Sequence, residues 1–198
     1  MANATLILAS GSAIRAKILR EAGVDFEVIT PDVDEAAAKA ALVKAGAGLE
    51  EIAMKLAEAK ARSVIAPGRL VLGADQILEH QGRFFDKPKN IAEAKARLLE
   101  LQGDVHTLIN AVAVARDGAI VFRHLDRPRL TMRPMTEHEI DRYFDRAGAG
   151  VLASVGAYQV EALGAHLFER IEGDHFAVLG LALFPVLGFL RAQGIGAI

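Results

Sequence analysis

Two serines and an arginine near the start of the chain have the spacing of an anion-binding turn. Thr5 to Ala9 is a short apolar run, which predicts a buried strand. Ser10 and Ser12 follow it, and Arg15 falls in the first turn of the helix predicted next. Free backbone N–H groups and the positive end of the helix dipole favour an anion there, such as a phosphate. The alternative is that Ser12 only caps the helix and that Arg15 is a solvated surface side chain.

Carboxylates in two places are candidates for binding a metal or accepting a proton. Asp75 follows the apolar run Leu70 to Ala74, and we expect it at the C-terminal end of a buried strand, where open α/β sheets bind their ligands. Asp32, Asp34 and Glu35 form an acidic group after a second predicted strand. One or two carboxylates together with substrate phosphates make a common Mg²⁺ site. The alternatives are that Asp75 caps a turn and that the acidic group is a solvated loop.

Two lysines add positive charge that a phosphate could use. Lys60 flanks the apolar face of a predicted helix, and Lys87 lies in a polar loop before Pro88. Taken one at a time, each is typical of a surface lysine. The chain has no Cys, no pair of His residues at the spacing of a helical zinc site, no P-loop and no nucleophile elbow.

The elements that must hold these residues alternate between strands and helices. Asp117-Gly118 between two apolar runs predicts a hairpin, and Thr136 with Glu139 has the pattern of a capping box. Helices are predicted over Ile14–Ala22, Ala36–Gly48 (weakly), Glu50–Ile65, Ala92–Leu101, Thr136–Arg146 and from about Pro185. Beyond the two apolar runs above, strands are predicted at Phe26–Ile29, within a hairpin over Ile77–Phe85, and at Asn110–Ala115, Ala119–Phe122, Tyr158–Val160 and His166–Ile171.

This order of elements predicts an α/β fold with a mixed sheet and flanking helices. We expect one domain over residues 1–198, built as two lobes around a cleft. No internal repeat and no linker interrupts it.

Composition narrows the class of protein. Of the 198 residues 52% are hydrophobic and 24% charged, which is typical of a globular chain, and a net charge of -2 without a basic block argues against general nucleic-acid binding. The absence of Cys fits a reducing compartment, and the start lacks the basic region of a secretory signal, so we expect a cytoplasmic protein. The most apolar run, Phe176 to Leu190, is shorter than the roughly 18 residues that a membrane span needs.

Taken in order, the short motifs of this chain resemble those of the Maf family of nucleoside triphosphate pyrophosphatases. The match begins with a Ser-x-Ser-x-x-Arg signature and an acidic segment, and it extends over nearly the whole chain. The matching segments are Leu6 to Ser12 with Arg15, Pro31 to Glu35, Leu56-Ala57 with Lys60-Ala61, Leu72 to Asp75, Lys87-Pro88, Gly156 to Tyr158, Leu163 to Ala165 and Glu169 to Gly173.

The resemblance implies a fold related to the inosine triphosphatases, a divalent cation (Mg²⁺ or Mn²⁺) as cofactor, and a homodimer. By motif, it implies catalytic roles for Asp75, Glu35 and Lys87, with Asp75 and Glu35 also holding the metal. It implies substrate binding by Ser10, Ser12, Arg15, Lys60, Gln76 and Glu161.

Four positions depart from the family's usual residues. Ile14 stands where a second arginine is common, Gln76 where Thr often follows the motif aspartate, and Asp86 where Gly often precedes Lys-Pro. Glu161 aligns with a Gln that helps some members select pyrimidine nucleotides. The preferred base therefore does not follow from the motifs.

We predict hydrolysis of a canonical, non-canonical or modified (deoxy)nucleoside triphosphate to the monophosphate and pyrophosphate. One alternative is a non-catalytic nucleotide-binding regulator of cell division, suggested by the missing arginine. Another is an enzyme that acts on a different phosphorylated metabolite.

Overall fold

In the computed structural model, which describes residues 5–196, the first part of the chain forms three parallel strands. Strand β1 (Leu6–Ala9) pairs with β2 (Phe26–Ile29) on one side and β3 (Leu70–His80) on the other. All four residues of β1 are fully buried, as its continuous apolar run predicts. The helices that cross between these strands are α1 (Ala13–Glu21), α2 (Glu35–Lys44) and α3 (Leu49–Ser63).

The remaining strands add antiparallel pairs to the same sheet. They are β4 (Arg83–Phe85), β5 (Val105–Arg116), β6 (Ala119–Asp126), β7 (Arg129–Met132) and β8 (Phe168–Glu172). The hydrogen-bonded order is β2-β1-β3-β5-β7-β8, with β4 paired to β3 and β6 paired to β5. The predicted mixed sheet with flanking helices is confirmed.

Helices complete the second half of the chain. They are α4 (Ile91–Leu101), α5 (Glu137–Ala147), α6 (His175–Val178) and α7 (Leu183–Ala192), with 3₁₀ turns at Ala149–Ala153 and Leu163–Leu167. Thr136 and Glu139 form the predicted capping box on α5. Asp117 and Gly118 make the predicted turn between β5 and β6, both with positive φ (51° and 78°).

The chain divides into two compact units. The first contains the chain up to Asp75, Asn110–Asp126 and the part from Gly180 onward; the second contains Gln76–Ile109 and Arg127–Leu179. In the first unit, Ile7, Ala9 and Val71 pack together on one face of the parallel strands. In the second unit, a larger core joins strands β3, β5 and β7 to helices α4 and α5.

Strand β3 differs from its prediction. We expected it to end at Ala74 and to present Asp75 at its C-terminal end, which is wrong, because β3 continues to His80 and Asp75 is a buried residue within it. Ile77 and Leu78 are both buried, and pairing with β4 extends the strand. A charged residue is tolerated inside it because a lysine from α3 pairs with the carboxylate, as described below.

Two further predictions near the end of the chain need correction. Tyr158 to Val160 is not a strand, because Ala157 turns the backbone at φ 59° and the Tyr158 ring packs against His106 and Phe168. Its apolar character reflects core packing. Strand β7 was not predicted, and α7 begins slightly before Pro185, which falls in its first turn.

Two predictions from the sequence concern a membrane-spanning segment and a secretory signal. No helix among residues 5–196 has the length and apolarity to cross a bilayer. The first residues, Met1 to Ala4, on which the predicted lack of a secretory signal partly depends, lie outside the described range.

Candidate active site

Lys60 lies at the centre of a charged cluster in the first unit. Its Nζ is 2.8 Å from Oδ1 of Asp75 and 2.8 Å from Oε2 of Glu35, and 3.5 Å from the carbonyl oxygen of Ala74. The two carboxylate oxygens are therefore separated by no more than the sum of the two ion-pair distances. Residues that are far apart in the sequence and belong to β3, α2 and α3 meet at one point.

The approach of α3 to β3 depends on Gly73. A Cβ atom at this position would lie 2.3 Å from the carbonyl oxygen of Ala57 and 2.6 Å from the amide nitrogen of Ala61, both on the backbone of α3. Backbone atoms at such distances cannot move aside cheaply, so any side chain here would push the helix away from the strand. Glycine thus brings Lys60, on the buried face of α3, within reach of Asp75.

Asp75 is held as part of this cluster and does not cap a turn. Its side chain is almost fully buried, with 6% of the residue exposed, and its Oδ1 accepts a hydrogen bond from Lys60. Its backbone oxygen accepts a hydrogen bond from Nδ2 of Asn110, whose own Oδ1 accepts one from the amide of Ala182. Oδ2 of Asp75 has no protein partner within residues 5–196.

The acidic group after β2 separates into two roles. Asp34 is the N-cap of α2 and accepts a hydrogen bond from the amide of Ala37 at 2.9 Å, which is a structural contact. Glu35 is the first residue of that helix and turns toward Lys60. Its side chain is about half exposed (51%), and within the described part of the chain Oε1 has no partner.

Arg15 is anchored beside the same cluster by backbone carbonyls. Its Nε donates to the carbonyl oxygen of Gly180 at 2.7 Å, and its Nη1 donates to that of Ala74 at 2.9 Å and to Oγ of Ser10 at 3.2 Å. Arg15 and Lys60 therefore share the Ala74 carbonyl. Nη2 of Arg15 makes no hydrogen bond to any residue from 5 to 196, so its donors are available to a ligand.

Electrostatics link Arg15 to the carboxylates. Burial lowers the pKa of the Arg15 guanidinium, and the charges of Asp75 and Glu35 act in the opposite direction. Two positive and two negative side chains thus balance within the cluster. A polyphosphate would bring a large negative charge that this balanced set does not neutralise by itself.

The turn after β1 is open where the sequence predicts an anion. Ser12 occupies the N-cap of α1, but its hydroxyl makes no capping hydrogen bond, and its amide donates to Oγ of Ser10 at 3.2 Å. The first turn of α1 contains no acidic residue. Ser12 therefore does not simply cap the helix. Its hydroxyl, which has no partner among residues 5–196, and the N-terminus of α1 are suited to binding a phosphate.

The other predicted site residues belong to the second unit. Gln76 donates through Nε2 to the carbonyl oxygens of Ala177 and Val178, at 2.9 and 3.2 Å, and its Oε1 has no partner between residues 5 and 196. Lys87 is exposed in the loop between β4 and α4. Glu161 is exposed too. Burial of the Tyr143 phenol is the main cause that raises the pKa of Tyr143 to about 12, and the charge of Glu161 adds to it.

Sequence reasoning missed the groups that hold Arg15, Lys60 and Asp75 through backbone hydrogen bonds. The carbonyls of Ala74 and Gly180 carry no residue-type signal, since every residue has a carbonyl. Asn110 did have a signal, because an amide inside the apolar run Leu108 to Ala115 is unusual in a buried strand.

A metal ion would find oxygen donors here but not a complete protein site. Residues 5–196 contain no group of three or more His, Cys, Asp or Glu side chains placed to hold a metal. In this cluster, Oδ2 of Asp75 and Oε1 of Glu35 have no partner among residues 5–196, and hard cations such as Mg²⁺ accept that donor type. The set fits a cation whose remaining ligands are water and substrate oxygens.

Fold and site together define a mixed-sheet α/β protein with paired carboxylates, a buried lysine and an anchored arginine at the parallel strands. The model of the family described as Maf-like protein matches residues 5–193. The chain belongs to the Maf-like protein family.

Two relatives of similar length, the first two named here, support this assignment. A protein named nucleoside triphosphate pyrophosphatase from Bradyrhizobium diazoefficiens is 50% identical over 98% of this chain and 96% of its own length. A 7-methyl-GTP pyrophosphatase from Rhizobium etli is 47% identical over 96% of each chain. A solved nucleoside-triphosphatase / dITP/XTP pyrophosphatase from Mycobacterium abscessus aligns over 66% of this chain and 74% of that chain, with 17% identity and a TM-score of 0.37.

Proposed function

We propose that this protein hydrolyses a nucleoside triphosphate to the nucleoside monophosphate and pyrophosphate. The observation that carries the proposal is the cluster in which Lys60 joins Asp75 and Glu35 beside Arg15. One oxygen of each carboxylate and Nη2 of Arg15 have no partner in the described part of the chain. Relatives with about half of their residues identical bear the name of this activity. Those names favour an enzyme over the non-catalytic regulator.

The reaction needs positioned groups more than covalent chemistry. Water attacks the α-phosphorus, the bond from that phosphorus to the oxygen bridging the α- and β-phosphates breaks, and the water loses a proton. In our proposal, Oδ2 of Asp75 accepts that proton while Lys60 holds Oδ1 in place. Arg15, Ser10, Ser12 and the N-terminus of α1 bind phosphate oxygens, and Lys87 adds charge from its loop.

Divalent metal is part of the proposal. Asp75 and Glu35 would hold Mg²⁺ or Mn²⁺, which neutralises phosphate charge when bound. A carboxylate bound directly to metal is a weaker base, so Glu35 is the better candidate for direct ligation and Asp75 for receiving the proton.

Activity should therefore require added divalent cation, since the cluster's own charges already balance. The experiment measures pyrophosphate release by purified protein from a panel of canonical and modified triphosphates, including 7-methyl-GTP, with Mg²⁺, with Mn²⁺ and with excess chelator. We expect turnover with either metal and at least about a hundredfold loss in chelator. Full turnover in chelator would contradict the metal proposal, and no release from any triphosphate would contradict the function.

The panel also tests which base of the substrate is preferred. One relative is named for nucleoside triphosphates in general and another for 7-methyl-GTP. The homodimer, the cytoplasmic location and the lack of nucleic-acid binding stay predictions from the sequence.

A further inference from the structure

The loop that carries Lys87 is short and held at its far end. It runs from Asp86 to Asn90, between β4 and α4. Asn90 caps α4 by accepting a hydrogen bond from the amide of Glu93 at 2.9 Å, and Glu93 returns one by accepting from the amide of Lys89, also at 2.9 Å. Pro88 is buried while Lys87 is exposed. The backbone after Lys87 is thus fixed, and its side chain is free to reach a ligand.

The near end of the loop is held by Arg97 of α4. Its Nη1 donates to the carbonyl oxygen of Asp86, the residue before Lys87, and also to the carbonyl oxygen of Val155 at 2.5 Å. Its guanidinium lies over the Phe85 ring, 5.0 Å from the ring centroid. One side chain therefore connects the end of β4, the start of the Lys87 loop and the separate loop after the 3₁₀ turn Ala149–Ala153.

Arginine is a costly choice at this position if packing is its only purpose. Nε of Arg97 is buried without a hydrogen-bond partner among residues 5–196, which carries a desolvation cost. Burial also lowers the pKa of Arg97, against the opposing charges of Asp86, Glu93 and Glu100. An unbranched apolar side chain would pack on Phe85 without these costs. What the guanidinium supplies, and an apolar side chain does not, is donation to two loop carbonyls at once.

We infer that Arg97 is a positioning residue that sets the Lys87 loop for binding phosphate. The inference rests on the proposed function, because it gives Lys87 that role. Arg97 does not need to touch the substrate. Its contribution is to remove backbone freedom before Lys87, so that the ammonium group meets the phosphates without an ordering cost.

The test is a double-mutant cycle between Arg97→Met and Lys87→Ala, followed by pyrophosphate release. We expect Arg97→Met alone to lower kcat/KM about tenfold, with the same direction of change in kcat and KM as Lys87→Ala. In the Lys87→Ala background the same substitution should change kcat/KM less than about twofold, because the group it positions is gone. Arg97→Lys, which keeps one donor nitrogen on a shorter reach, should recover part of the loss.

Arg83→Met is the matched control. Arg83 lies over the same Phe85 ring at 5.4 Å and pairs with Glu100 at 2.8 Å, but within residues 5–196 its side chain donates no hydrogen bond to a carbonyl of the Lys87 loop. It should leave kcat/KM unchanged. An equal loss from Arg97→Met in both backgrounds, or an equal loss from Arg83→Met, would overturn the inference.

Hydrogen exchange separates this inference from the function on which it rests. Arg97→Met should speed exchange of the Lys89 amide, which donates to Glu93, while the amides of β3 stay protected, whether or not the protein turns over a triphosphate. Wild-type protein that releases no pyrophosphate would contradict the proposed function alone. Unchanged exchange in the Lys87 loop would overturn the positioning role, even in an active enzyme.

Discussion

Replacing Asp75 with asparagine is expected to lower the rate of pyrophosphate release at least about a hundredfold. The amide has nearly the shape of the carboxylate, but it cannot accept a proton and is a poor ligand for a hard cation. Asp75 is also buried and paired with Lys60, so the variant should lose about 1–3 kcal/mol of stability. Initial rates and thermal midpoint are measured on the same sample.

A matched control for Asp75→Asn is Glu58→Gln. Glu58 is a buried carboxylate on α3 that pairs with Arg123 at 2.6 Å and Arg62 at 3.2 Å, and it takes no part in the charged cluster. Its replacement should cost stability without slowing turnover. An Asp75→Asn protein that is less stable but fully active would refute the role of Asp75 and return it to structural support.

Replacing Lys60 with methionine should have the larger effect on stability. Methionine fills similar space but removes the hydrogen-bonded partner of the buried Asp75 carboxylate, and breaking a buried ion pair in this way costs about 3 kcal/mol. Glu35 is half exposed and can turn toward water, so it adds little to that cost. For a chain of this length the loss corresponds to a fall in thermal midpoint of roughly 6–12 °C. Turnover should also fall at least about a hundredfold, because Asp75 is no longer held in place.

The double variant Lys60→Met/Asp75→Asn separates the two effects of Lys60→Met. With both charges removed, stability should recover toward that of Asp75→Asn, since no buried carboxylate is left without its lysine partner. Activity should stay as low as in either single variant. If the double variant were no more stable than Lys60→Met, the Lys60–Asp75 pair would not be the main source of the loss.

Much of this cluster could be predicted from the sequence. Ser10, Ser12 and Arg15 follow a strand that its apolar run identifies. The resemblance to the Maf family implies that Glu35 and Asp75 belong to one site. The structure brings Glu35 and Asp75 to the same lysine. Their chemical roles stay predictions until the variants above are measured.

The surroundings of the cluster were harder to predict because they depend on contacts between distant segments. The sequence predicts Asp75 at the end of a strand, because a carboxylate without a partner is costly inside a sheet. Lys60, on another element, pairs with it and makes the interior position tolerable. Gly73 gives no sign in the sequence that a helix backbone passes over it. Arg97 looks like one more exposed helical arginine until the loops it holds are seen.

The most direct test of the account is where the oxygen of water goes. The protein is incubated in ¹⁸O-labelled water with metal and with a triphosphate that it hydrolyses in the panel, and the products are analysed by mass spectrometry. Attack at the α-phosphorus predicts one labelled oxygen in the nucleoside monophosphate and unlabelled pyrophosphate. Label in pyrophosphate, or release of single phosphate with a nucleoside diphosphate, would contradict the proposed reaction.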